Sequence, residues 1–296
     1  MNAHEYILSK QIQWAHNNDI KLVGSEKARG RPAYTQNLNE NLFEPLNPDV
    51  EKQIGEGDGG ETKPKKGVLP KMRAVHSSSA LGVNIFQYWM NINQIPKIAA
   101  ACGLCSKNNN TPQKMTFEEK FQISKKFIFS PNIDVTIENS EESKYKLFAI
   151  ECKFSEAYTS RGHSGIDPKY LDIKDIWKGI PRLHKLAKKI SPDDNRFKYL
   201  HEAQLIKHIL GLKKYILDLE KKDKVKKSFR LLYLWYDCIG HEGSKHRKEI
   251  ESFTKTAKSD KIKFHAMSYQ ELIIKLSKEY RDTHKEYFKY ITSRYL

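Results

Sequence analysis

Two apolar segments interrupted by charged residues constrain the fold of this chain more than any other feature. Residues 131–137 read Pro-Asn-Ile-Asp-Val-Thr-Ile, and after a short polar loop residues 146–154 read Lys-Leu-Phe-Ala-Ile-Glu-Cys-Lys-Phe. Short apolar runs bounded by turn residues are typical of buried strands. The two segments therefore predict a hairpin that carries Asp134, Glu151 and Lys153.

The residue types on this hairpin fit metal-assisted chemistry on a phosphodiester. Side chains alternate along a strand, so Glu151 and Lys153 share one face and Cys152 points to the other. Mg²⁺ is commonly bound by one or two carboxylates together with a phosphate oxygen of the substrate. Asp134 and Glu151 would supply the carboxylates, and the Lys153 ammonium would orient water and offset charge in the transition state.

The tripeptide Glu-x-Lys does not carry this prediction alone, because it recurs at Glu61, Glu118, Glu142 and Glu220. Those copies lie in polar segments, whereas Glu151 interrupts an apolar strand. Buried charges are costly unless they are paired or bound to metal. A structural ion pair between the two strands is the alternative interpretation.

The hairpin motif resembles that of the PD-(D/E)XK nuclease superfamily, which includes many restriction endonucleases. The first half is Pro-Asn-Ile-Asp in place of Pro-Asp, and the second half is Glu-Cys-Lys. Residues 76–81, 83–86, 235–237 and 246–250 also resemble a bacterial subgroup of restriction endonucleases, so the resemblance covers roughly residues 75–296. It implies a restriction endonuclease-like core with the motif on its central hairpin.

The resemblance implies two further site residues. Superfamily members often carry a Glu on or after the first core helix that completes the metal site. Glu118 matches that position, with Glu119 as the adjacent alternative. Members also often carry a Gln or Glu on the helix after the motif strand, and Gln204 matches it. A solvated surface position is the alternative interpretation for both side chains.

The charge of the chain agrees with a polyanionic partner. Its 52 Lys and Arg against 36 Asp and Glu give a formal net charge of +16, which attracts nucleic acid without distinguishing DNA from RNA or membrane. Candidate DNA contacts are Arg29 and Arg31 in an N-terminal arm, and Arg161, His163 and Lys169 after the motif strand. A packed or disordered arm and an ordinary basic surface loop are the alternatives.

Periodicity and turn signals predict an α/β fold with a mixed central sheet flanked by helices. Residues 1–70 would form an N-terminal extension with an arm and a flexible linker, and residues 71–296 a nuclease domain with an insertion at about 160–195. Helices are predicted to begin near residues 77, 95, 197, 242, 268 and 282. Strands are predicted at residues 121–129, in the hairpin, and at residues 229–236 and 261–266. The helix at residues 197–221 would be the crossover of a parallel pair.

By the resemblance, the chain is predicted to be a Mg²⁺-dependent DNA endonuclease, a type II restriction enzyme that leaves 5′-phosphate and 3′-hydroxyl ends, with Mn²⁺ as a substitute ion. Its partner would be double-stranded DNA, and a palindromic target would favour a homodimer. No apolar run reaches about 18 residues and no signal peptide is recognisable, which predicts a cytoplasmic bacterial protein without a membrane segment. Three alternatives stay open: a structure- or modification-dependent DNA nuclease of the same fold, an inactive DNA-binding protein, and an RNA-directed nuclease.

Overall fold

The structure is a computed structural model that describes residues 1–24, 32–57, 60–64, 67–159, 163–223 and 227–296. Within these ranges the helices are α1 Ala3–Asn17, α2 Pro48–Gly55, α3 Ser78–Asn91, α4 Ile95–Ala101, α5 Pro168–Leu171, α6 Pro181–Lys189, α7 Glu202–Asp223, α8 His241–Ser259, α9 Tyr269–Tyr280 and α10 Lys285–Tyr295. The strands are β1 Leu22–Val23, β2 Tyr34–Thr35, β3 Pro112–Lys120, β4 Asn132–Asn139, β5 Tyr145–Lys153, β6 Ser228–Trp235 and β7 Phe264–Ser268. Arg29, Arg31 and Arg161 lie outside the described residues.

A five-stranded sheet with the order β3-β4-β5-β6-β7 forms the centre of the fold. β4 pairs antiparallel with both β3 and β5, whereas β6 pairs parallel with both β5 and β7. α7 connects β5 to β6, and α8 connects β6 to β7, as parallel neighbours require. The predicted α/β class with a mixed sheet flanked by helices is confirmed, and so are the hairpin and the crossover helix.

Helices cover both faces of the central strand β5. On one face, a methyl group on Gly82 of α3 would lie 3.7 Å from the Cys152 sulfur. On the other face, His208 of α7 lies 2.8 Å from Glu151. Because successive strand residues point to opposite faces, Glu151 and Lys153 face α7 while Cys152 faces α3.

The first strand of the sheet does not lie where its sequence pattern predicts. The alternation of residues 121–129 predicts a strand there, and this prediction is wrong, since β3 spans Pro112–Lys120. Met115 and Phe117 are buried and pair in register with β4. β4 begins only at Asn132, so the chain beyond β3 has no strand to pair with. Ile128 and Phe129 in this connection are 93% and 74% exposed.

Described parts of residues 1–70 pack on the same core as the sheet. Ile7 of α1, together with Val50 and Ile54 of α2, belongs to the apolar cluster that contains the central strands. The Gln53 side chain accepts a hydrogen bond of 2.9 Å from the backbone N–H of Phe117 on β3. α2 therefore lies beside the edge strand, while the division of the chain near residue 70 stays a prediction.

The segment between β5 and α7 contains two helices, α5 and α6, and contributes to the core. Ile166, Leu183 and Ile190 are fully buried there. Asp260, at the end of α8, accepts backbone hydrogen bonds from Arg182 and Leu183 and so anchors the start of α6. No helix in the described ranges is both long and apolar enough to cross a membrane.

Candidate active site

Three acidic residues lie in one row across three neighbouring strands. The register that pairs Val135 with both flanking strands places Glu118 of β3, Asp134 of β4 and Glu151 of β5 side by side. Lys153 follows Glu151 by two positions and so lies on the same face of the sheet. The strand pairing thus brings together four residues that were predicted from separate segments of the sequence.

Glu151 is the most buried member of the row, with 1% of its side chain exposed. Its Oε1 accepts a hydrogen bond of 2.5 Å from the Lys153 ammonium. Nε2 of His208 lies 2.8 Å from Oε2, so each oxygen of this carboxyl group has a basic neighbour. Burial raises the pKa of Glu151, yet Lys153 and His208 outweigh burial and lower the pKa to about 2. Glu151 is therefore ionised at neutral pH.

Asp134 is tied to the motif strand through its carboxyl group. Its Oδ2 accepts a hydrogen bond of 2.6 Å from the backbone N–H of Cys152. Burial, and then the neighbouring charge of Glu151, raise the pKa of Asp134 well above its usual range. Two adjacent carboxyl groups that are shielded from water resist carrying two negative charges. A second negative charge on this pair is therefore disfavoured.

Glu118 stands at an unusual backbone position on the edge strand. Its φ of 53° lies in the left-handed region, which non-glycine residues seldom occupy. Its Oε2 accepts a hydrogen bond of 3.3 Å from the Asn132 amide. Burial, followed by the charges of Glu61 and Glu151, raises the pKa of Glu118 to about 7.

The two adjacent Glu residues on β3 differ in their surroundings. Glu119 accepts a hydrogen bond from the Thr136 hydroxyl, whereas Glu118 interacts electrostatically with Glu151 and Lys153. The structure places Glu118 on β3, the strand that follows α4. It also lies close to the end of α2, since a methyl group on Gly57 would be 3.6 Å from its Oε2.

Lys153 is held in its charged form by the carboxyl groups around it. Only 14% of its side chain is exposed. Burial lowers the pKa of Lys153, but Glu151, Asp134 and Glu156 together raise it well above its usual range. A buried ammonium that stays protonated beside a carboxylate row fits the electrostatic role predicted for it.

Comparison with known families agrees with this arrangement. The family described as restriction endonuclease associating with ARP matches residues 7–296. The chain belongs to this restriction endonuclease family. Membership supports a nuclease function, and it confirms the predicted likeness to restriction endonucleases at that level. The narrower likeness to the PD-(D/E)XK superfamily stays a prediction. No curated protein and no solved structure matches the chain.

In this member of the restriction endonuclease family, α7 contributes a site residue that the sequence pattern did not indicate. His208 is 1% exposed and contacts Glu151. The predicted residue Gln204 lies one turn before it, on the same face of the helix and partly exposed. The available signal was the spacing of four between Gln204 and a His set in an apolar stretch of helix.

Glu156 was also missed, because it follows the motif strand in a short turn where no pattern marks it. Its Oε2 accepts a hydrogen bond of 3.1 Å from the backbone N–H of Phe154. Burial raises the pKa of Glu156, and the nearby ammonium of Lys153 opposes that effect. Lys153 thus lies between two carboxyl groups, one on its own strand and one just beyond it.

Two of the predicted DNA contacts lie near this site and differ in their environment. His163 stacks on His201, with ring centroids 4.7 Å apart and planes 14° from parallel. Lys169 forms an exposed ion pair of 2.8 Å with Asp167. Burial, and then the positive charge of Lys169, lower the pKa of Lys207, whereas the negative charge of Glu151 raises it. Basic side chains therefore border the acidic row on the side of α7.

A loop held by two carboxylates positions His201. The chain between α6 and α7 is not helical at residue 197, where a helix was predicted to begin, and α7 starts at Glu202. Side chains of Asp194 and Glu249 instead accept the backbone hydrogen bonds of this loop, from Arg196, Phe197, Lys198, Tyr199 and Leu200. The loop carries Tyr199 and His201 to the neighbourhood of Lys153.

The donor set fits a hard divalent cation that retains waters. Among the described residues, no three His, Cys, Asp or Glu side chains lie close enough to hold a metal alone. Mg²⁺ does not need such a cage, since it usually takes one or two carboxylates, several waters and substrate oxygens. The carboxyl groups of Asp134 and Glu151, on paired strands and beside Lys153, meet that requirement.

Proposed function

We propose that this protein is a Mg²⁺-dependent DNA endonuclease of the PD-(D/E)XK type, acting as a type II restriction enzyme. The observation that carries the proposal is the row of Glu118, Asp134 and Glu151 on adjacent strands with Lys153 on the same face. Its support comes from the nuclease family, from the donor set and from the net charge of +16.

Asp134 and Glu151 would hold the cation, with Glu118 on the outer side of the row. When bound, Mg²⁺ supplies Lewis-acid stabilisation of the phosphate charge and lowers the pKa of a bound water. The Lys153 ammonium would donate hydrogen bonds to the attacking water or to a non-bridging phosphate oxygen. His208, packed against Glu151, would keep that carboxylate oriented toward the substrate.

The proposed products follow from which phosphorus–oxygen bond breaks. Water attacks phosphorus, the bond to the 3′ oxygen breaks, and that oxygen leaves with a proton as a 3′-hydroxyl. The phosphate stays on the 5′ carbon of the next nucleotide. Duplex DNA is the proposed substrate, and a palindromic target would be matched by a homodimer with two-fold symmetry. Association with ARP, named in the description of the family, is proposed for this chain as well and is testable by asking whether ARP co-purifies with the chain.

The direct test is digestion of a plasmid of known sequence. Wild-type protein should cut in Mg²⁺ or Mn²⁺ and not in EDTA, and sequencing of the ends should show 5′-phosphates at one repeated sequence. Asp134→Asn, Glu151→Gln and Lys153→Met should each lower the cleavage rate by about 100-fold or more, in line with the loss of a group that stabilises transition-state charge.

The chain offers a matched control for these variants. Glu142 and Lys144 repeat the Glu-x-Lys pattern in the exposed loop between β4 and β5, so Glu142→Gln and Lys144→Met should leave the rate unchanged. Normal cutting by Asp134→Asn would show that the site assignment is wrong. DNA binding without cutting by the wild type would favour an inactive binding protein, and cutting of modified or branched DNA alone would favour a modification- or structure-dependent nuclease. Cutting of RNA alone would favour an RNA-directed enzyme.

A further inference from the structure

A cavity of about 200 Å³ adjoins the acidic row on the side of Lys153. It lies between the turn that follows β5 and the loop that precedes α7. The polar side chains in its wall are Lys153, Glu156, Thr159, His163, Tyr199 and His201. Because Lys153 both lines the cavity and pairs with Glu151, the cavity and the candidate active site share a wall.

The two histidines of this wall have hydrogen-bonding capacity that the protein does not use. Nε2 of His163 and Nε2 of His201 are buried, and neither has a hydrogen-bond partner among the described residues. Buried polar nitrogens are normally satisfied, and exceptions call for an explanation such as a ligand. Stacking the two rings at 4.7 Å also places two protonatable groups against each other. An acceptor supplied from outside would satisfy both buried nitrogens at once.

Positive charge reaches the cavity from two lysines. Lys153 lies in the wall and also pairs with Glu151, and the charge of Lys207 acts on His201. Among the described residues of the wall, Glu156 is the one carboxyl group, and it accepts a hydrogen bond from the backbone N–H of Phe154. Asp194 and Glu249 act on His163 from outside the wall. In the wall itself, an incoming acceptor therefore meets two imidazole nitrogens without a partner and the Lys153 ammonium.

We infer that this cavity binds the phosphate that adjoins the cleaved phosphodiester, with His163 and His201 as its hydrogen-bond donors. The inference rests on the proposed nuclease function, because it needs a second phosphate on the same strand. Successive phosphates of one strand rise by only about 3.4 Å along the helix axis. A strand whose scissile phosphate lies at the carboxylate row would therefore carry its neighbouring phosphate close to the wall that the row and the cavity share.

The test measures coupling between the histidines and one phosphate of the substrate. Once the cleavage sequence is mapped, duplexes with a single neutral methylphosphonate at each position near the cut are bound to the protein in Ca²⁺, without turnover. Wild-type protein should lose about 5- to 20-fold in affinity when the phosphate next to the cut is neutralised. The double variant His163→Ala/His201→Ala should bind the unmodified duplex about as weakly as the wild type binds the duplex with that methylphosphonate. Adding the methylphosphonate should then lower the affinity of the double variant little further.

The controls separate a ligand contact from a structural role. His16→Ala, on the exposed end of α1, should bind like the wild type. His201→Gln retains a donor and should recover part of the affinity, which a packing defect would not show. In Mg²⁺ the double variant should raise KM more than it lowers kcat. The assignment of the cavity would be overturned if a methylphosphonate at every position lowered the affinity of the wild type equally. It would also be overturned if the histidine substitutions and the methylphosphonate next to the cut lowered the affinity additively.

The failure of the proposed function is distinguishable from the failure of this inference. If the wild-type protein cuts DNA but the histidine variants show no coupling, only the cavity assignment falls. If the wild type neither binds nor cuts DNA, both the proposed function and the assignment of the cavity to a DNA phosphate are wrong. Titration of the intact protein with inorganic phosphate, followed by the NMR signals of the two histidine rings, then decides whether the cavity binds phosphate at all.

Discussion

Replacing Glu118 by Gln should stabilise the protein at alkaline pH and much less at acid pH. The pKa of this carboxyl group is about 7 in the folded protein, against an ordinary value of 4.5. Below pH 4.5 it is protonated in both the folded and the unfolded chain and has no effect. Between pH 4.5 and 7 the folded protein retains the proton that the unfolded chain loses, so stability falls as pH rises. Above pH 7 the loss is constant.

The magnitude follows from the difference between the two pKa values. Each pH unit between them corresponds to about 1.36 kcal/mol, which gives about 3 kcal/mol for a fully shielded group. Glu118 is partly exposed, so solvent screening reduces the expected gain to about 2 kcal/mol. In a chain of this size that gain raises Tm by roughly 4 °C at pH 8. At pH 5 only about a quarter of it should remain.

The assay is thermal unfolding of the wild type and Glu118→Gln at pH 5 and pH 8 without divalent ions. Gln is isosteric and keeps an oxygen that can accept the hydrogen bond from the Asn132 amide, so packing changes little. Glu142→Gln, at an exposed loop position, serves as the control and should not raise Tm at either pH. A Glu118→Gln protein that is equally or less stable than the wild type at pH 8 would refute the proposed burial of this carboxyl group.

Three further predictions concern the same face of the sheet. Lys153→Met should lower the free energy of unfolding by about 3–5 kcal/mol above pH 5, because it leaves Glu151 buried without its ammonium partner. This loss of stability should shrink as pH falls from 4.5 toward 2. Denaturant unfolding at several pH values will measure it. Mg²⁺ binding near pH 6.5 should release protons, because the pKa values of Glu118 and Asp134 are raised. Calorimetry in buffers of different ionisation enthalpy detects this release, and its absence would contradict the raised pKa values. Gly211→Ala on α7 should lower the free energy of unfolding by about 1–3 kcal/mol, because the added methyl group would lie 2.8 Å from the Phe121 carbonyl oxygen. Gly24→Ala, which meets nothing within 4 Å, should leave Tm unchanged.

The central part of the fold was predictable because its signals are local. Two apolar strands joined by a short polar loop leave few pairings other than a hairpin, and a helix before the next apolar strand favours a parallel crossover. The alternation of strand residues then places Glu151 and Lys153 on one face without further information. Opposite them, Asp134 is positioned by the antiparallel pairing alone.

The edge of the sheet and the outer part of the site were not predictable in this way. Residues 121–129 and 112–120 both alternate, and only the extent of β4 decides which of them pairs. His208 and Glu156 reach Lys153 or Glu151 through the packing of α7 and through a turn, neither of which a periodic pattern encodes. His163 and His201 lie 38 residues apart in the chain and meet because carboxylates fix the loop before α7.

The acidic row is costly to the folded protein, and that cost is the strongest physical argument that it serves a ligand. Burial works against the ionised forms of Glu118, Asp134 and Glu151, and apolar residues of similar size would stabilise such a sheet better. A structural ion pair with Lys153 would need only one of the three carboxyl groups. Burial and neighbouring carboxylates raise the pKa values of the other two, so their ionised forms are disfavoured beside Glu151. A divalent cation would offset the repulsion among all three carboxyl groups, whereas a structural role explains only the ion pair between Glu151 and Lys153.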